Sequence, residues 1–237
     1  MRALIDGLKV RKEDVNVFIL LLSAPVLLTL YYYHGYAVHF TEYFPGFKGD
    51  PLAGLFGVFW QFGVFFVLVL VIPLLIVKLR FKASLKDFGF SPGDSRFGLR
   101  FVFVAVPFIV APLIFLGSRF PDLQAEYPLA KILLQRHDLV FLYEAVYVLV
   151  YYFAWEFFFR GFLLFGLRER YGDMAAVMIQ TVSSCLIHLG KPESEIIGSI
   201  VVGILFGVLA LRTRSFWYVF FIHAAIGVLT DVFIIFV

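Results

Sequence analysis

Apolar stretches and polar breaks alternate along the chain, and the apolar stretches are long. They run from Val15 to Tyr33, Leu52 to Val77, Phe101 to Leu116, Leu139 to Arg170, Met174 to Leu189, Glu195 to Leu211, and Phe216 to the C-terminus. A membrane-crossing helix takes about 20 apolar residues, within a range of about 17–25. The pattern therefore predicts an all-α polytopic bundle of about seven transmembrane helices. The polar breaks carry turn formers, among them Pro45, Gly46 and Gly49 in one and Pro121 and Pro128 in another. The breaks around Gly190–Pro192 and Arg212–Arg214 are short, which predicts antiparallel hairpins on either side. Between Lys78 and Arg100, basic residues interleave with apolar ones, as in LRFKASLKDFGFSPGDSRFGLR. That segment reads as a short amphipathic helix lying on the membrane surface.

The fourth stretch differs from the others. From Leu139 to Arg170 it has no proline, and its only glycines are Gly161 and Gly166. It predicts one long helix, or two nearly continuous ones. In its second half lies YYFAWEFFFRG, residues 151–161, with Glu156 and Arg160 one turn apart in an apolar run.

Composition supports a membrane protein and narrows the alternatives. The 237 residues are 62% hydrophobic and 16% charged, with a mean hydropathy of +0.93. Soluble domains average about 45–50% apolar and about 25% charged residues. Thirty-one phenylalanines and twelve tyrosines suit lipid-facing and interfacial surfaces. No pair of sizeable soluble domains fits, so the expectation is one membrane domain. Residues 1–137 would supply N-terminal helices and the amphipathic segment, and residues 138–237 a reactive core. Cys185 is the only cysteine, which excludes an intrachain disulfide and a multi-cysteine metal site. The net charge of +3 reports loops facing the cytoplasm rather than a nucleic-acid partner. The mixed-charge start and the lack of a small-residue cleavage site after the first apolar run predict a retained helix rather than a signal peptide.

Orientation follows from the distribution of Lys and Arg. With the N-terminus cytoplasmic, that side holds Arg2, Lys9, Arg11, Lys12, Lys78, Arg80, Lys82, Lys86, Arg96, Arg100, Arg168, Arg170, Arg212 and Arg214. The opposite side holds Lys48, Arg119, Lys131, Arg136 and Lys191. The bias favours an N-inside arrangement.

Several polar residues sit where lipid would penalise them. A charge near the bilayer centre costs roughly 2.5–3.5 kcal/mol on insertion scales, so ionisable groups there are functional candidates by default. Tyr152, Glu156 and Arg160 form a stripe at i, i+4 spacing on one helix. Gln180, Ser184 and His188 repeat the spacing on the next, and His223, Gly227 and Asp231 on the last. Glu144 and Ser183 add further polar groups. Each feature also has a structural reading: an ion pair bracing the long helix, hydrogen-bonded packing histidines, or a tie from the last helix to a neighbour. Ser199, Gly203 and Gly207 form a small-residue face suited to helix packing. One acid and two histidines on three separate helices point instead to general base catalysis. A carboxylate in a low-dielectric cavity can take a proton from water, and the histidines can stabilise an oxyanion, protonate a leaving amine or hold a metal. Glu156, His188 and His223 also have the ligand types of a catalytic zinc site, although no HExxH motif occurs. No inverted repeat between the halves points to a transporter.

These motifs resemble the CAAX protease and bacteriocin-processing family of intramembrane peptidases (CPBP or Abi). The resemblance spans roughly Leu139 to Asp231. The family's first motif is two glutamates, three residues and an arginine, commonly followed by glycine. Glu156 to Gly161 matches from the second glutamate onward. His188 in SSCLIHL matches the histidine closing the next helix, and His223 in FIHAAIGVLTD matches a later histidine. LKDFGFSPGD resembles the amphipathic segment that commonly precedes this core.

Two positions depart from the pattern. Trp155 stands where the family has the glutamate held to activate water, and Gly227 stands where it has an asparagine. One helical step turns a side chain by about 100°, so Glu156 takes over from position 155 only if a π-bulge or a rotated helix re-aims it.

The resemblance implies an intramembrane endopeptidase of the bacterial cell membrane acting on a membrane-associated protein or peptide. Glu156 would be the water-activating base or its organiser, with His188 and His223 as the electrophilic or oxyanion-stabilising pair. Arg160 would hold Glu156 ionised or touch substrate. Glu193 or Glu195 is an alternative carboxylate, and Asp231 an alternative to the asparagine. A divalent metal such as zinc, if used, would fall to Glu156, His188 and His223. The other reading is an inactive relative: a membrane scaffold or a bacteriocin self-immunity protein.

Overall fold

The computed structural model describes residues 14–237; the basic residues counted before Asp14 lie outside them. Helices dominate, and no strand occurs among the described residues. Six helices are long and apolar enough to cross a membrane: α1 (Asp14–His34), α2 (Ala53–Phe81), α3 (Ser95–Gly117), α4 (His137–Tyr171), α6 (Glu193–Thr213) and α7 (Trp217–Phe236). With α5 (Asp173–Leu186) they form a helical membrane bundle. Helices are the natural solution here, because lipid offers no partner for an unpaired backbone group.

The expected fifth span is the element that changed. Apolar sequence continues to Leu189, but α5 has 14 residues and ends at Leu186. At 1.5 Å per residue it is roughly 21 Å long, too short to cross a bilayer alone. The chain then turns, with the His188 N–H donating to the Cys185 carbonyl at 2.9 Å and the Lys191 N–H to the His188 carbonyl at 3.0 Å. α6 returns antiparallel. Gly203 of α6 faces Thr181, and Gly207 faces Val177 and Gln180, so the small-residue face packs α6 on α5. Gln180 strengthens the contact by donating to the Gly203 carbonyl at 2.8 Å.

The segment between α2 and α3 also differs from expectation. Lys78–Phe81 ends α2, Ser95–Arg100 begins α3, and only Leu85–Phe88 forms a 3-10 turn between them. The segment folds back on the α6–α7 hairpin instead of lying as a helix on the membrane. The Asp94 N–H donates to the Thr213 carbonyl at 2.8 Å, and the Tyr218 hydroxyl to the Pro92 carbonyl at 2.5 Å. Gly93 sits at φ +51, where a Cβ would collide with that Thr213 carbonyl. Phe90 reaches from this segment into a cluster with Phe153, Phe157, Phe216 and Trp217.

α4 is the hub. Within its most apolar window 72% of residues are buried inside the protein, against 11% for α3. Aromatic contacts explain much of this. Phe62 of α2 stacks on Tyr147 at 4.7 Å, Phe65 on Trp155 at 5.6 Å, and Phe220 of α7 meets Phe153 edge-on at 5.8 Å. Its two glycines admit close neighbours: at Gly161 a Cβ would press on the Phe88 carbonyl, and at Gly166 on Leu20 of α1. Pro25 lies inside α1, and Pro73, Pro107 and Pro112 lie within α2 and α3, whereas α4 has none.

Candidate active site

Glu156 is completely buried, and its oxygen Oε1 meets two donors. Arg160 Nη1 donates to it at 3.0 Å from one turn along α4. His223 Nδ1 of α7 lies 2.5 Å from the same oxygen, and since a carboxylate accepts, the ring nitrogen is the donor. The His223 bond joins α4 to α7 at a buried point, and the Arg160 bond, made within α4, backs the same oxygen. Arg160 is itself 2% exposed, with its guanidinium over the Phe206 ring of α6 at 5.3 Å. The aromatic face gives the cation a second favourable contact away from water.

A run of π-type turns, Phe157–Leu163, begins directly after Glu156. The carboxylate nonetheless points inward, towards Arg160 and His223, and not into the position of residue 155. Trp155 fills that place. Its ring lies 5.1 Å from the His188 ring and 5.7 Å from the His223 ring, near-perpendicular to both. The indole contacts both histidine rings.

His188 comes from the turn that ends α5. Its Nδ1 lies 2.7 Å from the Ser184 carbonyl, one turn back. A carbonyl only accepts, so Nδ1 carries the hydrogen, and Nε2 of the neutral ring is left as an acceptor. That nitrogen faces Glu195 of α6, with Oε1 4.0 Å away. Glu195 Oε1 also accepts from the Tyr127 hydroxyl at 2.9 Å. Burial, followed by the charge of Glu195, pushes the Tyr127 hydroxyl well above the ordinary tyrosine range, so it remains a donor. Close by, Lys191 pairs with Glu126 and lies over the Tyr127 ring at 5.0 Å.

Exposure separates two layers. The side chains of His188, His223 and Glu195 keep 16%, 17% and 20% of their surface, whereas that of Glu156 keeps none. The first three groups thus retain some exposed surface, whereas Glu156 and Arg160 are buried. Two cavities, of about 530 and 630 Å³, lie elsewhere: one along Phe59–Leu68 of α2, the other between the start of α1, Phe81–Phe88 and the end of α4.

The candidate residues therefore divide. Glu156, Arg160 and His223 are in contact, and Trp155 touches the rings of both His188 and His223. Glu195 reaches His188; Glu193, at the exposed start of α6, does not join them. Asp231 is buried, but it faces Glu144 and Tyr143, two turns along α7 from His223. It does not take up the place of an asparagine beside His223. At Gly227 a Cβ would strike the Tyr152 hydroxyl and ring, so Tyr152 occupies the space a side chain there would need. Tyr152 also packs on the His223 ring at 4.7 Å.

Glu156, His188 and His223 do not fit a metal ion as a set. Among the described residues no three His, Cys, Asp or Glu side chains converge to hold one. Glu156 Oε1 is committed to Arg160 and His223, and the Nδ1 atoms of His188 and His223 are engaged by the Ser184 carbonyl and by Glu156. Sequence reasoning missed Tyr127, Phe206 and the Ser184 carbonyl. Tyr127 comes from a loop without a motif, Phe206 is one of many phenylalanines, and a backbone carbonyl leaves no mark in a sequence.

A helical integral membrane protein whose interior brings an acid, a guanidinium and two histidines together has the parts of an intramembrane hydrolase. Residues 138–229 match the family described as Type II CAAX prenyl endopeptidase Rce1-like. The resemblance to CAAX proteases is thus borne out over that part of the chain, which contains the two histidines, Glu156, Arg160 and Glu195. No curated protein and no solved structure matches the chain.

Proposed function

We propose that this protein hydrolyses peptide bonds of a membrane-associated protein or peptide within the membrane. The observation that carries the reading is the pair of histidines, each tied through Nδ1 and partly exposed. His188 is tied to the Ser184 carbonyl and His223 to Glu156. Each has Nε2 left for substrate or water. In this reading Glu156 is the organiser rather than the base: backed by Arg160, it holds the His223 ring, whose protonated form offers an Nε2–H to the oxyanion of the tetrahedral intermediate. His188 Nε2 accepts the proton of the attacking water and returns it to the leaving amine. Residues 138–237 are the reactive core in this scheme, with residues 1–137 as its frame. The family resemblance suggests the cell membrane of a bacterium as the setting, and the Lys and Arg distribution favours an N-terminus inside.

One observation favours the inactive alternative, a scaffold or self-immunity protein: Trp155 fills the place of the family's first glutamate. A single experiment separates the two. A prenylated peptide ending in a CAAX sequence, and a reporter anchored by one membrane helix, are each incubated in lipid vesicles with the wild type, Glu156→Ala, His188→Ala and His223→Ala. Enzymatic function predicts cleavage of at least one by the wild type and loss in all three variants. Equal processing by all four proteins, or none by any, leaves the scaffold reading.

A further inference from the structure

The hydrolytic reading leaves one step without a carboxylate. Glu156 is buried behind the histidines, and Trp155 carries no charge. Glu195 lies on the accessible side. It sits in the first turn of α6, in reach of His188, and it is held there by a hydroxyl from a different part of the chain.

The geometry around Glu195 is specific. Oε1 accepts from Tyr127 at 2.9 Å, which fixes the orientation of the carboxylate. Oε2 is buried and has no hydrogen-bond partner among the described residues. His188 Nε2 is an acceptor, because Nδ1 is spent on the Ser184 carbonyl. Two acceptors 4.0 Å apart are too distant for a direct hydrogen bond. A single water 2.8 Å or so from each fits between them, donating one O–H to the nitrogen and one to the carboxylate. Both of its lone pairs then remain free to attack. The nearest cation does not compete, because the Lys191 ammonium is engaged by Glu126.

We propose that Glu195 is a catalytic residue of the hydrolysis, forming with His188 the pair that holds and deprotonates the attacking water. This inference rests on the hydrolytic reading above. The water oxygen forms the new bond to the scissile carbonyl carbon, and the carbonyl π pair moves onto oxygen. One water proton passes to His188 Nε2, while Glu195 keeps the hydrogen bond to the other and compensates the imidazolium. Collapse of the oxyanion breaks the C–N bond, and the proton on His188 goes to the departing nitrogen. One peptide bond and one water become one carboxylic acid and one amine.

The test uses the full-length protein in vesicles with whichever of the two reporters the wild type cleaves. Glu195→Gln keeps the shape and the acceptor for Tyr127 but loses the negative charge. Its kcat is expected to fall by about 100- to 10,000-fold, the usual range for a general acid–base group, with KM near the wild-type value. Glu195→Asp, which withdraws the carboxylate by one methylene, retains more rate than the glutamine variant. Adding Trp155→Glu to Glu195→Gln restores part of the lost rate, because it brings a carboxylate to the His188 ring from α4. Rates are expressed per folded molecule, from the amplitude of thermal unfolding in detergent. If Glu195→Gln and Glu195→Asp turn over at the wild-type rate per folded molecule while His188→Ala is inactive, the Glu195 assignment is overturned and the hydrolytic reading survives. If His188→Ala and His223→Ala also match the wild type, the underlying reading fails with it.

Discussion

α4 carries two buried acids three turns apart, Glu144 and Glu156, and they meet opposite solutions. Glu156 has a guanidinium from its own helix and an imidazole from α7 on one oxygen. Glu144 faces Asp231 of α7, a second carboxyl. Among the described residues no Lys, Arg or His makes an ion pair with Glu144 or Asp231. With both ionised, neither carboxylate can donate to the other; a hydrogen bond joins the two only when one carries a proton, and the Tyr143 hydroxyl also faces Asp231. The same two helices are thus tied at two depths, once by a carboxylate and an imidazole and once by two acids. The difference lies in what surrounds each acid. A cation four residues along and a histidine opposite fit Glu156 for positioning a reactive ring, whereas the Glu144–Asp231 contact asks only that two carboxyls remain neighbours.

Substitutions at the two sites should therefore differ in size. Arg160→Met keeps the length of the side chain and removes the charge, so Glu156 is left with His223 alone. Breaking a buried pair from one side costs about 3–5 kcal/mol. A large drop in the thermal midpoint in detergent is expected, together with loss of reporter cleavage. An unchanged midpoint would mean that the ion pair contributes nothing to stability.

Glu144→Gln should do far less. The amide can donate to Asp231 where a carboxyl shared a proton, so the helix contact keeps a hydrogen bond of the usual net worth of about 0.5–1.5 kcal/mol. The midpoint is expected to stay close to the wild type, and Asp231→Asn should behave alike. A loss as large as that of Arg160→Met would erase the distinction between the two acids.

The smallest effect belongs to an acid outside the membrane spans. Asp94 caps α3, accepting from the Phe97 N–H at 3.1 Å and from Arg212 at 2.9 Å. The backbone hydrogen bond first, and then Arg212, hold its carboxyl below the usual range. A lowered folded value means that its contribution is fully present above the unfolded pKa of about 3.9 and is lost as pH falls through the lowered folded value. Asp94→Asn should lower stability slightly at neutral pH and change little in strong acid, which flattens the acid limb of a stability–pH curve. A shift of equal size at neutral and acid pH would show that the charge is not the cause.

Much of the fold was legible because apolar length and polar breaks are local properties. The runs that became α1, α2, α4, α6 and α7 are delimited to within a few residues. α5 was overestimated because Ile187 to Leu189 is apolar, although these residues form the turn that presents His188. The segment 82–94 was misjudged because interleaved basic and apolar residues suit a surface helix. Its true partners, Thr213 and Tyr218, lie more than a hundred residues away. In the site, Glu156 and Arg160 were legible as an i, i+4 pair, but Glu195 could not be told from Glu193, since neighbouring positions on a helix start point in different directions.

The sequence by itself determined that this is a helical membrane protein, that Glu156 and Arg160 share a helix face, and that two histidines lie at or near the ends and interiors of apolar helices. Hydropathy and helical periodicity suffice for that, because lipid leaves the backbone few alternatives. Tertiary structure decided the rest: that Glu156 turns to His223 while Trp155 packs on both histidine rings, that Ser184 sets the His188 tautomer, and that Tyr127 brings Glu195 to bear on His188. Each of those depends on where separate helices meet, and side-chain packing across helices is not encoded in any local stretch of the chain.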